Sequence, residues 1–192
     1  RAYFLNRVPK YGNDNDDVDA LGVRVMDHYC DVLSGYRNFR GGFFWPGVFS
    51  VGFHITMGAF TGATPDGRFA GDVLGNGITP TTGNALSGPT AIMNSVVKLP
   101  VTRATNGVNL NMRFQGKKIR TEHLAALIQT YFRNGGTQVQ FNMVDSEVLR
   151  DAQQHPEKHR DLFVRVSGYS AEFVGLSEIA QDEIISRTKY EI

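Results

Sequence analysis

The stretch Leu162-Phe163-Val164-Arg165-Val166-Ser167-Gly168-Tyr169-Ser170-Ala171 decides how the chain is read. Its first five residues are rich in β-branched and aromatic types, the composition of a strand that packs on a core. They deliver a lone glycine to a bend. Small polar residues follow, and Ser177 then caps a closing helix with Ala180, Ile184 and Thr188 along one face. Taken locally, Gly168 need do no more than supply a positive φ at a tight turn.

Working upstream, strands and helices alternate. Asp145 caps a short helix that His155-Pro156 breaks, with Pro156 starting another turn. Residues 137–144 alternate, with Val139, Phe141 and Met143 on one side, as do residues 106–114 with Val108, Leu110, Met112 and Phe114. Between these strands Thr121 caps a helix carrying Leu124, Leu127, Ile128 and Tyr131 on one face, which stops at Asn134-Gly135-Gly136. Residues 36–100 are rich in loops. Thr64-Pro65-Asp66-Gly67-Arg68 has turn chemistry, residues 48–55 read as a buried strand, and residues 89–99 as a short helix carrying Ala91, Met93 and Val96. Nearer the N-terminus, Asn13 to Asp17 cap and charge the start of a helix with Val18, Leu21, Val25, Tyr29 and Val32 at helical spacing, ending near Gly35. The alternation predicts an α/β class, and the many loops between strands predict the mouth of an α/β barrel.

Bulk properties exclude several function classes. With 20 basic and 19 acidic side chains the net charge is +1, so there is no basic surface for nucleic acid and no acidic tail. No apolar run is long enough to span a bilayer, and no leader is evident. A single cysteine forbids an internal disulfide and fits a reducing cytoplasm. Cys30 sits in the first long helix, where its neighbours offer no obvious base or cationic cluster beyond His28, and reads as packing rather than as a nucleophile. The chain opens on Arg1 and reads like the middle of something larger, which predicts a C-terminal piece of a longer protein.

Four patterns invite functional readings that their context does not sustain. His155 and His159 are spaced as helical zinc ligands are, but Pro156 interrupts the helix and no third ligand stands out. Gly75-Asn76-Gly77 lacks the further glycine or lysine of a phosphate cradle. Lys117-Lys118 reads as a solvated loop tip. Phe43, Phe44 and Trp45 could stack on bases, but without basic neighbours a packed core is expected.

Several segments together resemble the glycyl radical enzymes, the pyruvate formate-lyase superfamily. They are residues 9–14, Arg40-Gly41-Gly42, residues 64–68 with Ala70-Gly71, Gly88-Pro89-Thr90-Ala91, Gln138-Val139-Gln140-Phe141-Asn142, and Arg165-Val166-Ser167-Gly168-Tyr169 followed by Gln181, Ile184, Ile185, Arg187 and Thr188. The resemblance covers essentially the whole chain, in order, and corresponds to about the last quarter of a family member. It implies the C-terminal part of an α/β barrel containing the glycyl radical loop. Residues 1–100 would be the late barrel region, truncated at its N-terminus, and residues 101–192 the glycine radical domain.

By matching motif, Gly168 is the radical-storage glycine. Its Cα can flatten and share an unpaired electron with both adjacent peptide groups, which a side chain would hinder. The resemblance further implies that no cofactor is bound. Instead, a separate S-adenosylmethionine/iron-sulfur activase removes a hydrogen atom from Gly168, and the radical passes to a cysteine and then to a small-molecule substrate. A dry, anaerobic cytoplasmic setting and a full-length homodimer are implied too. The family's Gly-Cys motif followed by glutamate is absent, and Cys30 is no substitute, so the thiol loop and the rest of the barrel are expected upstream and this chain alone is expected to be inactive. The superfamily spans formate C-acetyltransferases, dehydratases, decarboxylases and fumarate-adding enzymes, and Ser167-Gly168-Tyr169-Ser170-Ala171 looks closer to the latter three. The alternative is a stand-alone glycyl radical subunit that complements an oxygen-cleaved partner. Phe44, Trp45, Phe49 and Phe53 would line a pocket if they point inward, but the core is the expectation for most of them. Arg40 suits an anionic substrate or a structural salt bridge.

Overall fold

The computed structural model describes residues 1–114 and 119–187, and the backbone of 189–190. Lys117, Lys118 and Thr188 lie outside the described residues. A short helix α1 (Ala2–Asn6) precedes α2 (Asp16–Ser34), whose cap is Asn15, its side chain accepting the Val18 amide. Asp16, Asp17 and Asp19 put negative charge in the first turn, where the helix dipole favours it. Next come α3 (Phe53–Ala59) and α4 (Pro89–Lys98), the latter with proline at its first position. The alternation then sets in: β1 (Asn111–Phe114), α5 (Thr121–Arg133), β2 (Gln140–Asn142), α6 (Ser146–Gln154), β3 (Phe163–Arg165), β4 (Ser170–Glu172), α7 (Glu178–Ser186) and β5 (Lys189–Tyr190).

Strands β2, β1 and β5 form a parallel sheet in that order, with Met112 opposite Phe141. Parallel neighbours need a long crossover, which α5 provides between β1 and β2. A parallel bridge between Val48 and Val108 extends the pairing. Strands β3 and β4 form a separate antiparallel hairpin. One core joins Met26 and Cys30 of α2 to Ile92, Met93 and Val96 of α4, Leu110, Met112 and Phe114 along β1, and Tyr131 of α5. A second joins Leu149 and Ala152 of α6 to Val164, Val166, Phe173 and Ile184.

Four sequence expectations need correction. Residues 48–55 are not a strand: beyond the single bridge at Val48, Val51 (φ +47°) and Gly52 (φ +93°) turn the chain into α3. The left-handed backbone at these two residues overrides the β propensity of their neighbours. Thr121 is the first residue of α5, and the cap position belongs to Arg120. The apolar stripe on α2 faces outward, with Leu21 57% and Val25 63% exposed, while the buried side is Asp19, Met26 and Cys30. Finally, Phe43, Phe44, Trp45, Phe49 and Phe53 are all exposed rather than in the core; Phe43 packs on Trp45 and under the Arg37 guanidinium.

Candidate functional site

Gly168 occupies the tip of the β3–β4 hairpin. The pairing ends at Arg165–Ser170, and the Val166 amide donates to the Tyr169 carbonyl at 2.9 Å, leaving Ser167 and Gly168 as the two central residues of the turn. Gly168 has φ +84° and Ser167 does not have positive φ. That is the type II pattern, not the type I′ or II′ turn whose twist suits a two-residue hairpin. The hairpin therefore depends on outside contacts for its shape. They come from the polar face of the parallel sheet.

Ser167 points down into that face and is buried. It donates to Asn76 Oδ1 at 2.7 Å, accepts from Asn109 Nδ2 at 2.9 Å, and lies 3.1 Å from Ser50 Oγ. Ser50 in turn donates to Asn76 Oδ1 at 2.8 Å and meets His54 Nδ1 at 2.9 Å. One step along, the Gly168 amide donates to Gln140 Oε1 at 3.1 Å, which also accepts from Arg165 Nη2 at 3.1 Å. Gln140 Nε2 completes its set by donating to Asn111 Oδ1, its register partner on β1. Asn142 Nδ2 reaches the Arg165 carbonyl at 3.4 Å.

A charged group braces the hairpin from the other side. The Arg187 guanidinium donates to the Arg165 carbonyl at 2.9 Å and the Val166 carbonyl at 2.7 Å, and is held by both oxygens of Glu183. His54 Nε2 stands 3.7 Å from Glu183, too far for a hydrogen bond but close enough for charge to be felt. Burial by itself would raise the Glu183 pKa, yet the facing His54 imidazole and the Arg187 cation outweigh it and hold the carboxyl below its ordinary value. Arg113, also buried, donates to the Ile184 and Ile185 carbonyls near the C-terminal end of α7, where a cation suits the dipole.

Above the turn, Gly168 is exposed and lines a shallow cavity of about 310 Å³ with Phe49, Val51, Val108, Asn109, Gln138 and Tyr169. A Cβ built on Gly168 would meet only Asn109 Nδ2, at 3.9 Å, so its Cα is not crowded. Val51 is a β-branched residue at positive φ, a strain on the order of 1–3 kcal/mol.

The remaining sequence candidates are not drawn into this site. Cys30 is buried in the first core and burial raises its pKa, as packing predicts. His159 pairs with Asp151 at 2.6 Å, and His155 lies 3.9 Å from Glu157. Arg40 has no ion pair among the described residues and lies over the Phe39 ring. Asp14, Asp16 and Asp19 converge as metal ligands could, but Lys98 Nζ sits among them at 2.7, 2.7 and 2.9 Å, so a lysine already neutralises the cluster. Sequence reasoning missed Ser50, His54, Asn76, Asn109 and Glu183. The signal that could have found them is weak: asparagine and serine recur inside segments otherwise rich in core residues.

Comparison with known proteins agrees with the geometry. The "Glycine radical" family model matches residues 74–174, more than half the chain, and "Pyruvate formate lyase-like" matches residues 1–58. The chain belongs to the glycyl radical enzyme family. Among its relatives are the probable dehydratase YbiW of Escherichia coli K12 (42% identical, covering 99% of this chain and 25% of that protein) and the indoleacetate decarboxylase of Tractidigestivibacter scatoligenes (45% identical, 95% and 21%). The solved B12-independent glycerol dehydratase of Clostridium butyricum in its glycerol-bound form superposes with a TM-score of 0.96 at 42% identity, over 100% of this chain and 25% of that one. The chain thus spans about a quarter of the length of these relatives, and corresponds to the C-terminal part of their α/β barrel.

Proposed function

We propose that Gly168 stores the unpaired electron of a glycyl radical lyase of the dehydratase, decarboxylase or fumarate-adding kind. The observation that carries this reading is an exposed, uncrowded glycine at φ +84°, tethered through its amide, on a hairpin tip within the matched glycine radical segment. Homolysis of the Cα–H bond would leave one electron on Gly168. The hydrogen atom would go to a radical that a separate iron-sulfur activase generates from S-adenosylmethionine. A cysteine thiol elsewhere in the barrel would later return a hydrogen atom to Cα, leaving a thiyl radical to abstract one from a small-molecule substrate. Chemistry of this kind requires exclusion of oxygen and water, hence an anaerobic cytoplasmic setting.

In this reading residues 1–100 supply late barrel and residues 101–192 the glycine radical domain. The outward stripe of α2 and the exposed aromatics Phe44, Trp45, Phe49 and Phe53 would be covered by the rest of the barrel, in an enzyme that works as a homodimer. This chain by itself would be inactive, since it carries no thiol loop.

The test is anaerobic activation of the whole enzyme followed by electron paramagnetic resonance. A carbon-centred doublet is expected in wild type and none in Gly168→Ala. That substitution meets no clash and costs only the backbone strain of positive φ, about 1–2 kcal/mol, so the variant should fold. A doublet surviving in Gly168→Ala would overturn the assignment.

A further inference from the structure

We propose that Gln140 is the positioning residue of the glycyl site, its side-chain carbonyl fixing the plane of the Ser167–Gly168 peptide by accepting the Gly168 N–H at 3.1 Å. The proposal rests on the reading of Gly168 given above. An unpaired electron on Cα spreads into the preceding peptide only while that peptide is coplanar with the flattened carbon. Twist about N–Cα weakens the overlap. A glycine at φ +84° must rotate to reach planarity, so a group that grips the N–H governs how far and which way it turns.

The grip is rigid because every polar atom of the Gln140 amide is committed. Two donors, the Gly168 N–H and Arg165 Nη2, converge on one end, so that end is Oε1. The other end donates to Asn111 Oδ1, and Asn111 is oriented by Thr79 Oγ1, which accepts both its backbone amide at 2.8 Å and its Nδ2 at 3.3 Å. Gln140 is buried, and its backbone amide is bonded to the Leu110 carbonyl at 2.9 Å. Arg165, itself anchored on Ser170 Oγ at 3.0 Å, places positive charge on the same acceptor oxygen, so both arms of the hairpin are referred to one side chain. The Cβ side of Gly168 is open by contrast, with Asn109 Nδ2 no nearer than 3.9 Å. One side holds the nitrogen and the other leaves the carbon free to flatten.

The experiment uses the whole enzyme, activated without oxygen, with wild type, Gln140→Glu, Gln140→Leu and Gly168→Ala compared by electron paramagnetic and electron–nuclear double resonance in H2O and D2O. Glutamate keeps an acceptor oxygen for the Gly168 N–H, and its second oxygen can be met by Asn111 Nδ2 once that amide turns over to accept from Thr79 Oγ1; leucine keeps volume without either. The expected result is that Gln140→Glu retains the wild-type coupling of the exchangeable amide proton. Gln140→Leu should shift that coupling and shorten the radical half-life about fivefold, the scale of one lost hydrogen bond. A radical yield lost in Gln140→Leu and restored in Gln140→Glu would support the same conclusion. Equal loss in both, or an unchanged amide coupling in Gln140→Leu, would overturn it. If Gly168→Ala keeps the doublet, the site assignment itself fails; if only the Gln140 arms miss, the assignment stands and the positioning role falls.

Discussion

The two faces of the β1–β2 ladder are both buried, yet they are built from opposite chemistry. Leu110, Met112 and Phe114 on one face sink into helices α2, α4 and α5, where the gain is apolar area removed from water. Asn109, Asn111 and Arg113 alternate with them on the other face, joined by Gln140 and Asn142 from β2; Asn109, Gln140 and Asn142 bond the glycine hairpin, Asn111 holds Gln140, and Arg113 ties the sheet to the end of α7. An apolar contact tolerates sliding. A network of fixed donors and acceptors does not, because any displacement leaves a buried group unpaired. The apolar face gives the ladder its stability and the polar face gives Gly168 its place.

The largest effect should come from the apolar face. Leu110→Ala removes a side chain with no exposed surface from the middle of the first core, at a cost of about 2–5 kcal/mol. Native-state hydrogen exchange should show β1 and β2 amides losing protection together. If protection instead fell chiefly at the hairpin, the division of labour between the two faces would be wrong.

Ser167→Ala should be milder in energy and sharper in location. It strips a hydroxyl that serves Asn76 and Asn109, leaving polar atoms unpaired in a buried site, for about 1–3 kcal/mol. Protection should drop at the Val166 amide, which donates to the Tyr169 carbonyl, with β1 hardly changed, and the glycyl radical should decay faster once formed. A uniform loss across both strands would mean that the serine supports the sheet rather than the turn.

How much of this was legible in the sequence follows the same division. Helix α5 and strands β1 and β2 declared themselves through periodicity, because burial against a core imposes spacing, whereas β3 showed itself through its β-branched and aromatic composition. The strand that delivers Gly168 to a bend was legible, but β4, which turns that bend into a hairpin, was read only as a small polar segment. The polar platform was not legible: in an alternating strand the polar set is ordinarily read as facing water, and nothing local to Asn109 says that Ser167, 58 positions away, will roof it. Ser50 and Asn76 meet Ser167 across 117 and 91 residues. The outward stripe of α2 misled for a related reason: periodicity reports which face is apolar, not what covers it, and the relatives are about four times longer than this chain. Residues 48–55 failed for a local reason, since a β-branched residue at positive φ contradicts its own propensity.

The smallest predicted effect tests the brace behind the hairpin. Glu183 has a pKa held below the ordinary glutamate value in the folded protein, despite burial that would raise it, by His54 and Arg187. A group with a depressed folded pKa contributes its stabilisation in full above its unfolded pKa and loses it as pH falls through the lowered folded value. Protonation of Glu183 would release the Arg187 guanidinium that holds the Arg165 and Val166 carbonyls, and the turn-closing bond from the Val166 amide to Tyr169 should then open more often. Other carboxylates titrate in the same range, among them Asp14, Asp66 and Asp151, so global unfolding cannot isolate the effect. The local protection factor at Val166 can. In wild type it should be steady from neutral pH down to the ordinary carboxylate range and fall below it. In Glu183→Gln it should already be lower at neutral pH and change little on acidification. Should the two proteins lose Val166 protection in parallel as pH falls, Glu183 is not the titrating group, and the Arg187 brace holds the hairpin without depending on that carboxylate's charge.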